Sequence, residues 1–78
     1  MIRFKIGELI EKKEFRENRR ITIGEIATET KINRMTISKI MNHRGYSTVT
    51  ENLDRLCEYF ACKIEDLIEH VPNSEVEN

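Results

Sequence analysis

Apolar residues recur at helical spacing along the chain, with polar residues between them. Ile6, Leu9 and Ile10 fall at i, i+3 and i+4, the spacing that places side chains on one helical face. A first helix is therefore predicted from about residue 5 to about residue 17. Asn18 is expected to end it, because asparagine tolerates the left-handed backbone conformation that often follows a helix.

Two short helices are predicted next. Thr22 and Glu25 have the spacing of a capping box, in which each side chain bonds to the backbone amide of the other residue. The second helix is expected over residues 23–30, and the third over residues 34–42 with Asn33 as its N-cap. The residues predicted to face inward are Ile23, Ile26, Ala27, Ile37, Ile40 and Met41.

The rest of the chain predicts two more helices. A second capping-box spacing, Thr48 to Glu51, is expected to open a fourth helix. Its predicted buried line is Val49, Leu53, Leu56, Cys57 and Phe60, and a short fifth helix is marked by Ile64, Leu67 and Ile68. The predicted fold is an all-α, five-helix domain over residues 1–72, with a flexible tail at 73–78.

The second and third predicted helices are typical of a helix-turn-helix unit. Ala27 is small where the two helices would cross, Ile32 lies in the turn, and Ile37 faces back to the second helix. The 100° step between helical residues then turns the other face of the third helix outward. That face carries Arg34, Met35, Ser38, Lys39 and Asn42.

This outward face suits the major groove of DNA. Arg and Lys pair with guanine edges, and Met can contact the methyl group of thymine. The candidate base-contacting residues are Arg34, Met35, Thr36, Ser38 and Lys39, and the candidate backbone-contacting residues are Thr22, Asn33, Asn42, Arg44 and Thr48. The alternative is an ordinary solvated helix face, which the same residues would also form.

The net charge of −1 hides an asymmetry between the two halves of the chain. Residues 1–45 contain eleven basic and six acidic residues, a balance of +5. Residues 46–78 contain two basic and eight acidic residues, a balance of −6. Such asymmetry is a sign of a nucleic-acid partner.

The segments TIGEIATETKINRMTISKIMN and LDRLCEYFACKIEDLI make the chain similar to Cro/CI-type (XRE-family) helix-turn-helix repressors over roughly residues 5–70. The resemblance implies a bacterial or phage transcriptional regulator. It also implies base contacts at Arg34, Met35, Ser38 and Lys39, and backbone contacts at Thr22, Asn42 and Arg44.

The chain departs from the family at three places. It has Ile23 where the family often has Gln, and Lys31 where the turn usually has Gly. A left-handed Lys31 would cost about 1 kcal/mol. The connection after the first helix is longer and more charged than usual, and Arg19 and Arg20 either contact the DNA backbone or form a solvated corner.

Nothing in the sequence indicates catalysis. His43 and His70 have no Cys-x-x-Cys pair beside them that would indicate a metal site. The sequence also contains neither the residue order of a Ser/His/Asp triad nor a phosphate-binding glycine loop. We expect no enzyme activity, cofactor, metal or small-molecule substrate, and, in a chain this short, no ligand control. Without an apolar run or signal peptide, a membrane is not expected, and Cys57 and Cys62 are interpreted as reduced thiols of a cytoplasmic protein.

We therefore expect a sequence-specific regulator, a repressor by resemblance, that reads double-stranded DNA through residues 34–42 as a homodimer. The alternative is an antitoxin-like or anti-repressor interaction module of the same fold. In that case the acidic fourth and fifth helices would hold a basic protein.

Overall fold

The computed structural model describes residues 1–75. Within them the chain forms five α-helices and a two-stranded antiparallel sheet, as expected for the helices but not for the sheet. Within these residues no helix is both long and apolar enough to cross a membrane. The elements are β1 (Ile2–Phe4), α1 (Ile6–Glu17), α2 (Ile23–Thr30), α3 (Arg34–Asn42), α4 (Thr50–Phe60), α5 (Ile64–Leu67), β2 (Ile68–His70) and a final 3-10 turn (Asn73–Glu75).

All five helices contribute to one hydrophobic core. Ile26, Ile37, Leu56 and Leu67 have no solvent exposure, and they come from four different helices. Fully burying a side chain of this size contributes about 1.5–3 kcal/mol, so these four residues fix how the helices pack. The other core residues are Ile6, Leu9, Ile21, Ile32, Ile40 and Phe60.

The helix ends follow local sequence signals at three places. Asn18 adopts a left-handed conformation (φ 53°) after α1, as predicted. The Thr22 hydroxyl accepts a hydrogen bond from the Glu25 amide at 3.1 Å, which caps α2. The Asn33 side chain accepts from the Met35 amide at 2.7 Å, which caps α3.

The predicted second capping box does not form. The N-cap of α4 is Val49, which makes no side-chain cap, and the Thr48 hydroxyl accepts from the Asn52 side chain at 2.9 Å instead. Val49 is 63% exposed, so its placement in the buried line of α4 was wrong. Helix α4 begins one residue later than the capping box requires. Val49 therefore precedes the helix and faces solvent.

The small sheet joins the two ends of the described chain. β1 pairs with β2 in the register Ile2↔His70, Arg3↔Glu69 and Phe4↔Ile68. Ile68, predicted in the fifth helix, is therefore a strand residue, whereas Ile64 begins α5 as predicted and is 45% exposed. Part of the expected flexible tail, residues 76–78, lies outside the described residues, and its first part forms the 3-10 turn.

Lys31 holds a strained backbone position at the end of α2, with φ 61° and ψ 28°. Its carbonyl accepts a hydrogen bond from the Arg55 guanidinium at 3.2 Å, so α4 helps to hold the turn. Since glycine adopts this conformation without the side-chain clash, we expect Lys31→Gly to raise the free energy of unfolding by up to about 1 kcal/mol. Urea denaturation of Lys31→Gly measures the effect.

The matched control introduces glycine at a helical position, where the backbone is not left-handed. Thr28 is exposed in the interior of α2, and Thr28→Gly should lower the free energy of unfolding by several tenths of a kcal/mol, up to about 1. If both substitutions destabilise the domain equally, the strain at Lys31 has no energetic consequence.

Candidate nucleic-acid interface

The helix-turn-helix unit holds α3 by its apolar side. Ile37 is 0% exposed and Ile40 is 4% exposed, while Ile32 in the turn is 4% exposed. Ala27, predicted at the crossing of α2 and α3, is half-buried against the same core. With one side of α3 fixed in the core, the opposite side must face solvent.

The solvent face of α3 carries the residues predicted to contact bases. Arg34 and Lys39 are exposed, and Met35 is 68% exposed, an unusual degree for a large apolar side chain. Thr36 and Ser38 are half-buried at the borders of this face. We call these five residues the α3 face.

The cations of the α3 face carry no ion pair. Within residues 1–75, the side chains of Arg34 and Lys39 make neither salt bridges nor hydrogen bonds to protein. The cations that do pair with carboxylates lie elsewhere, and they are Arg3, Lys13, Arg19 and Arg55. The positive charge of α3 is therefore available to an external anion.

Two of the predicted backbone-contacting residues lie at the far end of α3. Asn42 is exposed, and its side chain donates to the Ser38 carbonyl at 3.0 Å. Arg44 is exposed in the turn after α3 and has no ion pair among residues 1–75. Gly45, with φ 75°, lets this turn reverse direction.

The other three predicted backbone-contacting residues already have internal partners. The oxygens of Thr22, Asn33 and Thr48 accept bonds from Glu25, Met35 and Asn52, respectively. A threonine hydroxyl that accepts still has its proton to donate, and an asparagine amide keeps its NH2 group. Each side chain thus keeps a donor for a phosphate oxygen. Thr22 and Asn33 are exposed, whereas Thr48 is half-buried.

The first turn of α2 adds backbone donors beside Thr22. The amides of Ile23 and Gly24 make no hydrogen bond within residues 1–75, and the Thr22 oxygen takes the Glu25 amide. The positive end of the helix dipole coincides with these free amides, an arrangement that favours anions.

The capping box predicted a hydrogen bond from the Thr22 amide to the Glu25 carboxylate, and this bond does not form. Its carboxylate accepts two bonds from the Arg19 guanidinium, at 2.7 and 2.8 Å, and one from the Tyr59 hydroxyl at 3.2 Å. The bond from Arg19, followed by that from Tyr59, holds the pKa of Glu25 below its usual value. Burial, with the nearby Glu25 charge, raises the pKa of Tyr59 to about 12.

The network includes one of the two arginines that follow α1. Arg19 pairs with Glu17 as well as Glu25, and Lys13 lies 4.8 Å above the Tyr59 ring. Arg19 thus links α1 to α2 through its ion pairs, whereas Arg20 is exposed and has no ion pair within residues 1–75. The contact between Glu25 and Tyr59 was missed because these residues lie 34 positions apart.

The lowered pKa of Glu25 makes the network sensitive to acid. A carboxylate with a depressed pKa in the folded state stabilises the fold above its ordinary pKa of 4.5, and this contribution is lost as the pH falls below that value. We expect Glu25→Gln to lower the melting temperature at pH 7 and to have less effect at about pH 3. Thermal melts at both pH values measure the difference.

The control for this prediction removes a carboxylate from the same helix. Glu29 is exposed on α2 and makes no ion pair within residues 1–75, so Glu29→Gln should not show the same pH-dependent loss. Equal behaviour of the Glu25 and Glu29 variants would contradict a stabilising role for the network.

The cysteines make no disulfide. Cys57 and Cys62 are half-buried free thiols at the end of α4, where the Cys62 amide donates to the Cys57 carbonyl at 3.1 Å. Burial, followed by the effects of the neighbouring Cys57, raises the pKa of Cys62 to about 11. Residues 1–75 contain no group of three His, Cys, Asp or Glu side chains placed to hold a metal ion.

The fold and the exposed face of α3 define a helix-turn-helix DNA-binding domain. A model of the Cro/C1-type HTH DNA-binding domain family matches residues 13–73, which is most of the chain. The chain therefore belongs to this family, and the resemblance noted in the sequence is confirmed. No curated protein is significantly similar to the chain.

Proposed function

We propose that the domain is a sequence-specific transcriptional regulator, a repressor, that inserts α3 into the major groove. The observation that carries this proposal is the α3 face itself. Arg34 and Lys39 are exposed and unpaired, while Ile37 and Ile40 anchor the opposite side of the helix in the core. Because α3 is already anchored in the core and its cations are unpaired, it can enter an anionic groove without moving and without breaking an internal ion pair.

Each residue of the α3 face has a proposed role in reading bases. Arg34, at the N-terminal end of α3, and Lys39 donate to guanine O6 and N7, and the exposed methyl group of Met35 contacts a thymine methyl. Thr36 and Ser38 donate from the borders of the face to a base or a phosphate. A bidentate pair contributes about 1–3 kcal/mol of discrimination between bases.

The phosphate contacts lie at both ends of the helix-turn-helix unit. At one end, Thr22 and the free amides of α2 bind one phosphate, and the Asn33 amide contributes beside them. At the other end, Arg44, Asn42 and Thr48 bind a second stretch of backbone. Each neutralised phosphate makes the salt dependence of binding steeper by about 0.9 in the log–log slope.

The charge asymmetry supports one orientation on DNA. The α3 face belongs to the basic half of the sequence, whereas α4 and α5 carry acidic residues such as Glu51, Asp54, Glu58, Glu65 and Asp66. Repulsion by phosphates turns the acidic helices away from the duplex, so the protein meets DNA with α3 forward. The domain acts in the cytoplasm by binding alone, without catalysis.

Two copies bind one operator as a homodimer. One domain of this size makes few base contacts, and a two-fold dimer reading half-sites about 34–36 Å apart doubles them. The operator should accordingly be palindromic.

The rival function places the partner on the acidic side. Glu29, Asp54 and Glu58 line a shallow groove between α2 and α4 together with the single cation Arg55, and this excess of acidic side chains supports a basic protein partner. An antitoxin-like or anti-repressor module would use this groove and bind DNA only secondarily.

Selection of duplexes from a random pool by the tagged full chain decides between the two functions. We expect enrichment of a palindromic motif. For the selected duplex, the logarithm of the binding constant should fall linearly with the logarithm of the salt concentration. Absence of any enriched motif at low salt, together with a stoichiometric basic protein co-purifying from cells, would establish the rival instead.

A further inference from the structure

A half-open pocket of about 340 Å³ lies between β1 and the turn that follows α3. Its volume falls at the lower end of the range for small-molecule sites, about 300–1,000 Å³. A Cβ atom placed on Gly45 would meet the Met1 sulfur at 3.6 Å, so the turn lies directly against the start of the chain. The apolar wall consists of Met1, Ile2, Phe4, Ile40, Met41 and Val71.

The polar lining of this pocket has one sign of charge. Its ionisable side chains are Arg3, His43 and Arg44, and no aspartate or glutamate lines it. Arg3 pairs with Glu69 outside the lining, whereas Arg44 has no ion pair within residues 1–75. An apolar wall beside an uncompensated cation complements a ligand that is apolar at one end and anionic at the other.

We propose that this pocket binds a small amphipathic anion, a carboxylate with a short apolar body. The apolar body packs against Ile2 and Met41, and Arg44 balances the carboxylate. The sequence alone predicted no ligand control, because a chain this short leaves no room for a separate effector domain. The site is separate from the α3 face and shares only the end of α3 and its turn with the proposed DNA contacts.

Occupancy of the pocket should weaken DNA binding, a consequence that rests on the proposed function. Arg44 and Asn42 line the pocket and are also proposed phosphate contacts. A carboxylate on Arg44 removes one cation from the DNA backbone. The coupling is reciprocal, so a bound duplex should weaken ligand binding by the same factor.

Octanoate is the probe, and octanamide, which has the same apolar body without the charge, is its control. In a ¹H–¹⁵N NMR titration of the full chain, we expect octanoate to bind saturably and at least about tenfold more tightly than octanamide. The shifts should centre on residues 1–4, 40–45 and 71. Equal binding of the two probes, shifts centred elsewhere or no saturable binding would each overturn the proposal.

A pair of variants at one exposed position tests the charge requirement. Ile2 is 42% exposed, so it accepts a charged side chain without loss of the core. Both variants remove the apolar contact, so Ile2→Glu should weaken octanoate binding at least about tenfold more than Ile2→Gln, which adds no negative charge. Equal losses in both variants would show that the apolar contact alone binds the probe, and would overturn the anion assignment.

The effect of octanoate on DNA binding is measured separately from the binding of octanoate itself. With a selected duplex, saturating octanoate should raise the dissociation constant at least about fivefold, and octanamide should not. An unchanged constant with octanoate bound would overturn the coupling. If no duplex binds at all, the proposed function fails, while the titration without DNA still decides whether the pocket binds an anion.

Discussion

An Ile37→Ala variant should lose about 2–5 kcal/mol of its free energy of unfolding, the largest loss we expect from one substitution in α3. Ile37 is fully buried, in one core with the equally buried Ile26 and Leu56, so the truncation leaves a cavity among three helices. A domain of 78 residues has a small total stability, and a loss of this size is a large part of it.

Urea denaturation followed by circular dichroism measures this loss. The control is Val49→Ala, which truncates a side chain that is 63% exposed and should change the free energy by no more than about 0.5 kcal/mol. If Ile37→Ala behaved like Val49→Ala, α3 would not be anchored through Ile37, and the outward direction of its cations would lose its basis.

Combined replacement of Arg34 and Lys39 by alanine should abolish sequence preference. Each cation is proposed to make a base contact with about 1–3 kcal/mol of discrimination, so affinity for a selected duplex should fall at least about 30-fold. Affinity for a scrambled duplex should fall much less. Both side chains are exposed and unpaired, so the thermal melt should stay close to that of the wild type.

Fluorescence anisotropy with selected and scrambled duplexes provides the measurement. The double variant Lys12→Ala with Lys63→Ala removes the same two charges from exposed positions on α1 and before α5. This control should keep the preference and lose only a modest, sequence-independent part of the affinity. Equal losses in the two double variants would mean that net charge, rather than the α3 face, governs binding.

The helices and most of their ends could be predicted because their signals are local. Asn18, Thr22 and Asn33 each act on a backbone group within four residues, so residue type and short-range spacing identified their roles. The exposed and buried sides of α3 followed from helical periodicity, since Ile37 and Ile40 are one turn apart. The left-handed conformation of Lys31 followed from the family resemblance instead, because the turn of the family usually has glycine at this position.

The features that were missed depend on contacts between distant residues. β1 is three residues long, and its partner Ile68–His70 lies more than sixty positions away, so no local pattern could indicate the sheet. The Thr48 spacing fits a capping box, but the competing bond from Asn52 satisfies the hydroxyl. The network joining Glu25 to Tyr59 and the pocket beside β1 depend on the same long-range packing.

The methyl groups of the three methionines test most directly whether α3 enters the groove. Met35 lies exposed on the α3 face, whereas Met1 and Met41 line the pocket between β1 and the turn after α3. With ¹³C-methyl methionine and a saturating selected duplex, we expect a large shift of the Met35 signal and smaller shifts for the other two. An unmoved Met35 signal at full saturation would contradict the entry of α3 into the groove.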